Sequence, residues 1–377
     1  MIPIYQIYQA PNTRKYVDKV LKSNWLTTGG YFNIAAEEKL KEILKCKYVL
    51  LTNNGTTASH LLSKVIKNKN NKINKIICQD NVYVAAWNAF LFDGNMGLEI
   101  IDIDNKTWNY DREKLEKKLS ENSSDTTAVL IVHNIGNPFI IKNEKFTIVE
   151  DNCEGFLGSY NNIKTGTAKN CLASSISFFA NKNITSGEGG AVITNDESSY
   201  LYAKNLHAQG QSETRFIHNN LGYNYRMTNL NAAILLSQIE VMDNILQKKK
   251  EIVEFYKREL KEIEEISFQE VDNNCEHSNW LFGVRIKNST YKIANRFFQL
   301  NGIETRPMFY SAMEQPYMQN YINQKKVILD ISNQKINDEI VFFPSYPSLK
   351  KTELKTVVRM IKQYIKNLKE ISLLKTT

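Results

Sequence analysis

Ser175-Ile-Ser-Phe-Phe-Ala-Asn-Lys-Asn-Ile-Thr-Ser-Gly-Glu-Gly-Gly190 is the stretch on which the fold turns. An apolar run, Ile176 to Ala180, reads as a strand and ends in a polar, glycine-rich loop that carries Lys182. Gly190-Ala-Val-Ile-Thr194 reads as the next strand. Strand-loop junctions of this kind are where layered α/β proteins build their pockets. An amine held in such a place can lose its proton and act as a nucleophile or Schiff-base former. The competing reading is a solvated loop lysine, and the surrounding chain must decide between the two.

Upstream, short apolar runs alternate with helical patterns. Lys47–Thr52, Lys75–Cys78, Leu98–Ile103, Ala128–Val132 and Phe146–Val149 read as strands. Thr56–Ile66 and Asp111–Leu119 read as helices, the second with Asp111 as its N-cap. Alternation of this kind predicts a mainly parallel sheet covered by helices on both faces. A long helical stretch from Asn229 to Ile263 bridges to a further unit with a strand over Trp280–Ile286, a helix over Tyr291–Leu300 and a last helix over Lys351–Leu368. The expected division is a large domain over residues 1–245 and a smaller α+β domain over 246–377.

With 377 residues, 42% of them hydrophobic, the chain can bury one large core and a second smaller one. The net charge of +8 comes from scattered lysines, without an arginine patch interleaved with aromatics. Nucleic-acid binding is therefore not expected, whereas a polyanionic small molecule such as a nucleotide suits the field. The five cysteines are odd in number and form no C-x-x-C pair, which argues for a reducing, cytoplasmic setting without a disulfide framework or metal site. No apolar run reaches the ~18 residues of a membrane span.

Three further segments bear on Lys182. Thr52-Asn-Asn-Gly-Thr-Thr-Ala58 joins a strand to a helix; Gly55 permits close approach, and Thr56 and Thr57 open the helix with free N–H groups suited to a phosphate. Asp151 closes a buried strand, where a carboxylate can pair with a cationic ring nitrogen. Ser177 lies just before Lys182, on a strand face that can point into the same crevice. A phosphate cradle, a strand-end aspartate and a strand-loop lysine, in that order, are what pyridoxal 5'-phosphate (PLP) requires.

With these motifs in place, the chain resembles the sugar-nucleotide aminotransferases of the DegT/DnrJ/EryC1/StrS family, in particular its GDP-perosamine synthase branch. The resemblance runs through Asn24-Trp-Leu-Thr-Thr-Gly-Gly30, Asn54-Gly-Thr-Thr57, Val149-Glu-Asp151 and the Lys182 stretch. It continues through Tyr223-Asn-Tyr-Arg-Met-Thr-Asn229, His277-Ser-Asn-Trp280 and Gly302-Ile-Glu-Thr-Arg-Pro307. It implies an α/β, fold-type I PLP-dependent aminotransferase with a mainly parallel seven-stranded sheet between helices.

The resemblance also implies residue roles. Lys182 forms the Schiff base with PLP and Asp151 pairs with the ring nitrogen. Tyr83 stacks on the ring, Glu154 lies against it, and Gly55, Thr56, Thr57 and Ser177 hold the phosphate. Asn224 reaches the phosphate from a neighbouring subunit, so the active unit is expected to be a homodimer with shared sites. Thr27, Thr28, Gly29, Arg226, Arg306 and Tyr310 are the candidate substrate contacts. His277 reads as a satisfied core histidine.

The implied reaction passes an amino group from L-glutamate, by way of pyridoxamine phosphate, to C4 of a nucleotide-linked 4-keto-6-deoxyhexose. GDP is favoured, with UDP or dTDP as the alternative. A C3 ketosugar aminotransferase and a 3-dehydratase are the remaining readings; relatives that remove the C3 hydroxyl carry His where this chain has Lys182. Two departures from the family pattern, Met313 and Gln79-Asp-Asn-Val82, lie near the substrate region and point to altered specificity.

Overall fold

A computed structural model describes residues 1–332 and 336–376. The strands of the first part are β1 (Tyr48–Thr52), β2 (Lys75–Gln79), β3 (Gly97–Ile101), β4 (Thr127–Val132), β5 (Thr147–Asp151), the short β6 (Ser159–Tyr160) and β7 (Ile163–Lys164), β8 (Cys171–Ser177) and β9 (Gly190–Thr194). The second part adds β10 (Ile266–Phe268), β11 (Cys275–Glu276), β12 (Phe282–Ile286), β13 (Arg306–Pro307), β14 (Val327–Asp330) and β15 (Ile340–Phe343).

The large sheet has eight strands in the order β1-β9-β8-β5-β4-β2-β3-β14. Seven come from the expected stretch of chain. The eighth, β14, returns from far downstream to pair in parallel with β3 (Val327 opposite Leu98). Only β9 runs against the rest, antiparallel to both β1 and β8.

The pleat sorts side chains onto the two faces. Leu50, Ile76, Cys78, Leu98, Ile100, Leu130 and Val192 meet helices Gly55–Lys69 and Ala85–Leu91 on one side. Val49, Leu51, Ile176, Ala191 and Ile193 pack on the other side against helices Tyr31–Leu44 and Asn229–Ile239, while Ile77, Ile101, Val129 and Ile131 face a further cluster with Tyr110 and Leu115. Burial on both faces explains why these strands read as continuous apolar runs.

Helix Gly55–Lys69 is started by Asn54, whose side chain accepts from Thr57 N–H. Asp111 caps helix Arg112–Glu121 in the same way, as expected. The stretch expected to be one helix from Asn229 to Ile263 is two, Asn229–Ile239 and Met242–Leu260. The break falls where the Glu240 carboxylate accepts from Asn12 Nδ2 (2.8 Å) and from the Tyr16 hydroxyl, a tertiary tie to helix Thr13–Ser23 and its N-cap.

Helix Met242–Leu260 joins two cores. Its Met242 and Ile245 belong to the large-sheet cluster, whereas Ile252, Val253, Tyr256 and Leu260 pack with Phe282, Val284, Phe298 and Ile361 around the sheet β10-β12-β15-β13. A third cluster, with Ile4, Trp108, Trp280, Met308 and Phe342, fills the seam between the sheets.

Leu61 is fully buried in the helix that leads from the β1 turn. Leu61→Ala is expected to lower stability by ~2–5 kcal/mol through transfer and cavity costs, read as a fall in the urea midpoint. An unchanged midpoint would show that this helix does not carry the core.

Candidate active site

The parallel strands end on a common edge of the sheet, and the candidate residues gather there. Asp151 closes β5 and pairs with Val132 on one side and Ser175 on the other; Ser177 closes β8 and Thr52 closes β1. Gly190, the first residue of β9, lies between Thr52 and Ser177. A Cβ on Gly190 would fall 2.4 Å from Asn54 O and 2.8 Å from Gly55 N, so only glycine lets the β1 turn press this close to β9. One on Gly55 would fall 2.8 Å from Ser177 Cβ. Bare backbone at the helix start, next to a serine hydroxyl, forms an anion cradle.

Gly55, Thr56, Tyr83, Asp151, Glu154, Ser177, Lys182, Arg306 and Tyr310 line one cleft of ≈ 690 Å³. Asn54, Cys153, Glu188, Trp280, Phe309 and the N-terminal residues Ile4 and Tyr5 also contribute to its wall. Thr57 does not: its N–H goes to the capping Asn54 Oδ1 and its hydroxyl to Asn53 Oδ1 (2.7 Å), so both are tied into the helix start rather than facing the cleft. Thr27, Thr28, Gly29, Asn224 and Arg226 also lie away from the cleft within one chain. The Thr27 carbonyl accepts from Asn229 N, and the Thr28 carbonyl from Trp25 Nε1. Asn224 is exposed and accepts from Arg226 Nη2 at 3.3 Å, on a loop pinned to the end of β1 by Asn53 N–H donating to Tyr225 O.

Lys182 is not a solvated loop lysine. Its side chain is 13% exposed, with Nζ 4.0 Å from Glu154 Oε1 and 3.8 Å from the centroid of the Trp280 ring. Glu154 Oε2 accepts from Ile135 N–H (2.7 Å). Burial pushes the Glu154 carboxyl up to about 7, against the pull of the Lys182 charge and the Ile135 hydrogen bond. The Cys153 thiol is also pushed up, first by burial and then by the nearby Asp151 carboxylate, so it is no thiolate nucleophile. Asp151 Oδ1 accepts from Cys153 N–H.

His277 is half-buried, and both its ring nitrogens are satisfied. Nδ1 accepts from Asn279 N–H, Nε2 meets Gln269 Oε1 at 3.0 Å, and burial pushes the ring down to about 3. Trp280 was within the motif that carried the resemblance but had no assigned role. The Asn before the first apolar turn of a helix was the signal for Asn54. Nothing local marked Ile4 or Tyr5. Among the described residues, no group of His, Cys, Asp and Glu is placed to hold a metal ion, and no helix is long and apolar enough to cross a membrane.

A profile of the DegT/DnrJ/EryC1/StrS aminotransferase family matches residues 8–362. The chain belongs to this family. It is 30% identical to a GDP-perosamine synthase of Escherichia coli O157:H7, over 96% of this chain and 98% of that one. It is also 30% identical to one from Vibrio cholerae, over 97% and 99%. Among solved structures it superposes on Helicobacter pylori PseC, an aminotransferase involved in the biosynthesis of pseudoaminic acid. The TM-score is 0.85 at 22% identity, covering 97% of this chain and 99% of that one. It superposes on a GDP-4-keto-6-deoxymannose-3-dehydratase with a TM-score of 0.84 at 21% identity, covering 96% and 100%.

The protein is a PLP-dependent sugar aminotransferase of this family, and the residues present fit that cofactor. The cleft offers a backbone cradle that a Cβ on Gly55 would crowd, a strand-end carboxylate and a buried amine.

Gly190→Ala is expected to displace the Asn54–Gly55 turn and weaken PLP binding about tenfold, measured by titration of visible absorbance; unaltered affinity would refute the close-packing argument. Because the Glu154 carboxyl is raised from its ordinary 4.5 to about 7, the stability it contributes is full below 4.5 and is lost as pH rises through 7. Glu154→Gln should therefore flatten the fall in melting temperature of the cofactor-free protein between about pH 4.5 and 7, by a few degrees. An identical pH profile in the variant would contradict the shift.

Proposed function

We propose that the protein transfers the amino group of L-glutamate to C4 of a nucleotide-linked 4-keto-6-deoxyhexose, with GDP as the nucleotide. The observation that carries this reading is the buried amine of Lys182. It shares one cleft with the Asp151 carboxylate and the Gly55–Thr56 cradle, in a chain related along nearly its whole length to GDP-perosamine synthases.

When bound, PLP supplies the electron sink that lets nitrogen change hands. The protein does the rest. Gly55 and Thr56 N–H and the Ser177 hydroxyl hold the phosphate, and Asp151 keeps a proton on the ring nitrogen. Tyr83, 58% exposed at the cleft mouth, covers the ring face. The freed Nζ of Lys182 takes the donor's α-proton and later returns a proton on the sugar side, acting as general base and then acid. Arg306 and Tyr310 line the cleft toward the diphosphate. Arg306 is paired with Glu304 (2.9 Å) but exposed, so its guanidinium is available to an anion.

The active unit in this proposal is a homodimer. Asn224 and Arg226, and the Thr27–Gly29 loop, enter the neighbouring copy's cleft. Supporting this, large apolar side chains flank both segments in the open: Phe216 (77% exposed) and Leu221 (91%) beside the first, Trp25 (54%) and Tyr31 (72%) beside the second.

Lys182→Ala should abolish turnover while retaining PLP; normal turnover would end the assignment. Equal mixing and reassociation of Lys182→Ala with Asn224→Ala should restore about one quarter of wild-type sites, as a symmetric shared-site dimer requires. No recovery, with mixed dimers shown to form, would mean that each chain builds its own site. An assay against GDP-, UDP- and dTDP-linked 4-keto-6-deoxy sugars tests the nucleotide, and preference for a UDP or dTDP sugar would overturn the GDP assignment.

A further inference from the structure

Trp280 comes from the seam between the two sheets, yet its ring lies against the amine of Lys182, 3.8 Å from centroid to Nζ. Two contacts hold the indole and a third holds its backbone. Its Nε1 donates to the carbonyl of Asn181, the residue before the lysine (2.9 Å). Its own carbonyl accepts from Lys249 Nζ (2.9 Å), a buried amine that also reaches Ser345 O. The Phe309 ring lies within 17° of parallel at 6.4 Å. The side chain is only 4% exposed. An indole face is the strongest aromatic partner for an ammonium, more so when water is excluded.

We infer that Trp280 is a positioning residue whose indole face holds the protonated amine of Lys182 over the cofactor cradle. This rests on the proposed role of Lys182 as the proton carrier. Each turnover leaves the lysine briefly as an ammonium, unattached and carrying the proton it has just taken. Glu154 alone is a poor counter-charge, since its carboxyl is mostly neutral below about pH 7. The ring attracts the ammonium at any pH and is tied by Asn181 to the loop that carries the lysine, so the loaded amine stays within reach of the atom that must receive its proton.

The test replaces Trp280 site-specifically with mono-, di-, tri- and tetrafluorotryptophan, which weaken the ring's attraction for a cation while keeping its shape, and adds Trp280→Leu. Two readouts are taken. In cofactor-free protein, acetylation of Lys182 is followed by peptide mass spectrometry relative to other lysines. In PLP-loaded protein, loss of visible absorbance on adding L-glutamate gives the donor half-reaction rate. Lys182 labelling should rise, and the half-reaction slow, stepwise with fluorine number, reaching about three- to thirty-fold in Trp280→Leu. Flat responses across the fluorinated series would overturn the inference, leaving Trp280 as packing. If the wild type shows no absorbance change with glutamate, the proposed reaction fails instead, and the labelling series still decides the role of Trp280.

Discussion

The site depends on one close approach of backbone to backbone. In the large sheet, among the described strands, β9 alone runs against the other seven, and it is inserted between β1 and β8. Its first residue, Gly190, therefore meets the turn after β1 on one side and the end of β8 on the other. The loop from Ser177 to Gly190, which carries Lys182, leaves and re-enters the sheet at that point. A parallel strand here would start at the opposite edge and move this loop away from the cradle. The glycine contact sets the distance between the anion cradle and the lysine, and Asp151 follows because β5 is the next strand in register.

The second constraint is the seam. The cleft is walled on one side by the large sheet's edge and on the other by Trp280, Phe309 and Arg306 from the following unit, with Ile4 and Tyr5 laid across. A rigid junction keeps these in place. Helix Met242–Leu260 contributes to both cores, and its Lys249 donates to two carbonyls of the second unit from a buried position. Burial alone pushes that amine down to about 7. An amine kept out of water at a junction is costly, and its two carbonyl contacts offset only part of that cost.

Most of the sheet was legible because its strands are buried on both faces and show as apolar runs with turn residues between them. Lys182, Asp151 and Ser177 were legible for a related reason: polar residues at the ends of such runs stand out. What was not legible is nonlocal. β14 is four residues long and gains its place only by pairing with β3 across most of the chain. The break at Glu240 coincides with its bonds to Tyr16 and Asn12, and no glycine or proline stands nearby to mark it in the sequence. Thr57 looked like a phosphate ligand because an N–H at a helix start can meet an anion or a capping side chain alike; the Asn54 side chain takes it. Trp280 reads as an ordinary core aromatic until the fold brings it to the amine.

In the proposed reaction, nitrogen from the donor ends on the sugar. This is tested most directly by incubating the PLP-loaded protein with ¹⁵N-L-glutamate and a GDP-linked 4-keto-6-deoxyhexose, then weighing the sugar product. The expected product is an aminosugar carrying one ¹⁵N at C4 with its C3 hydroxyl intact. A product that has lost that hydroxyl, with the label released as ammonia, would contradict it.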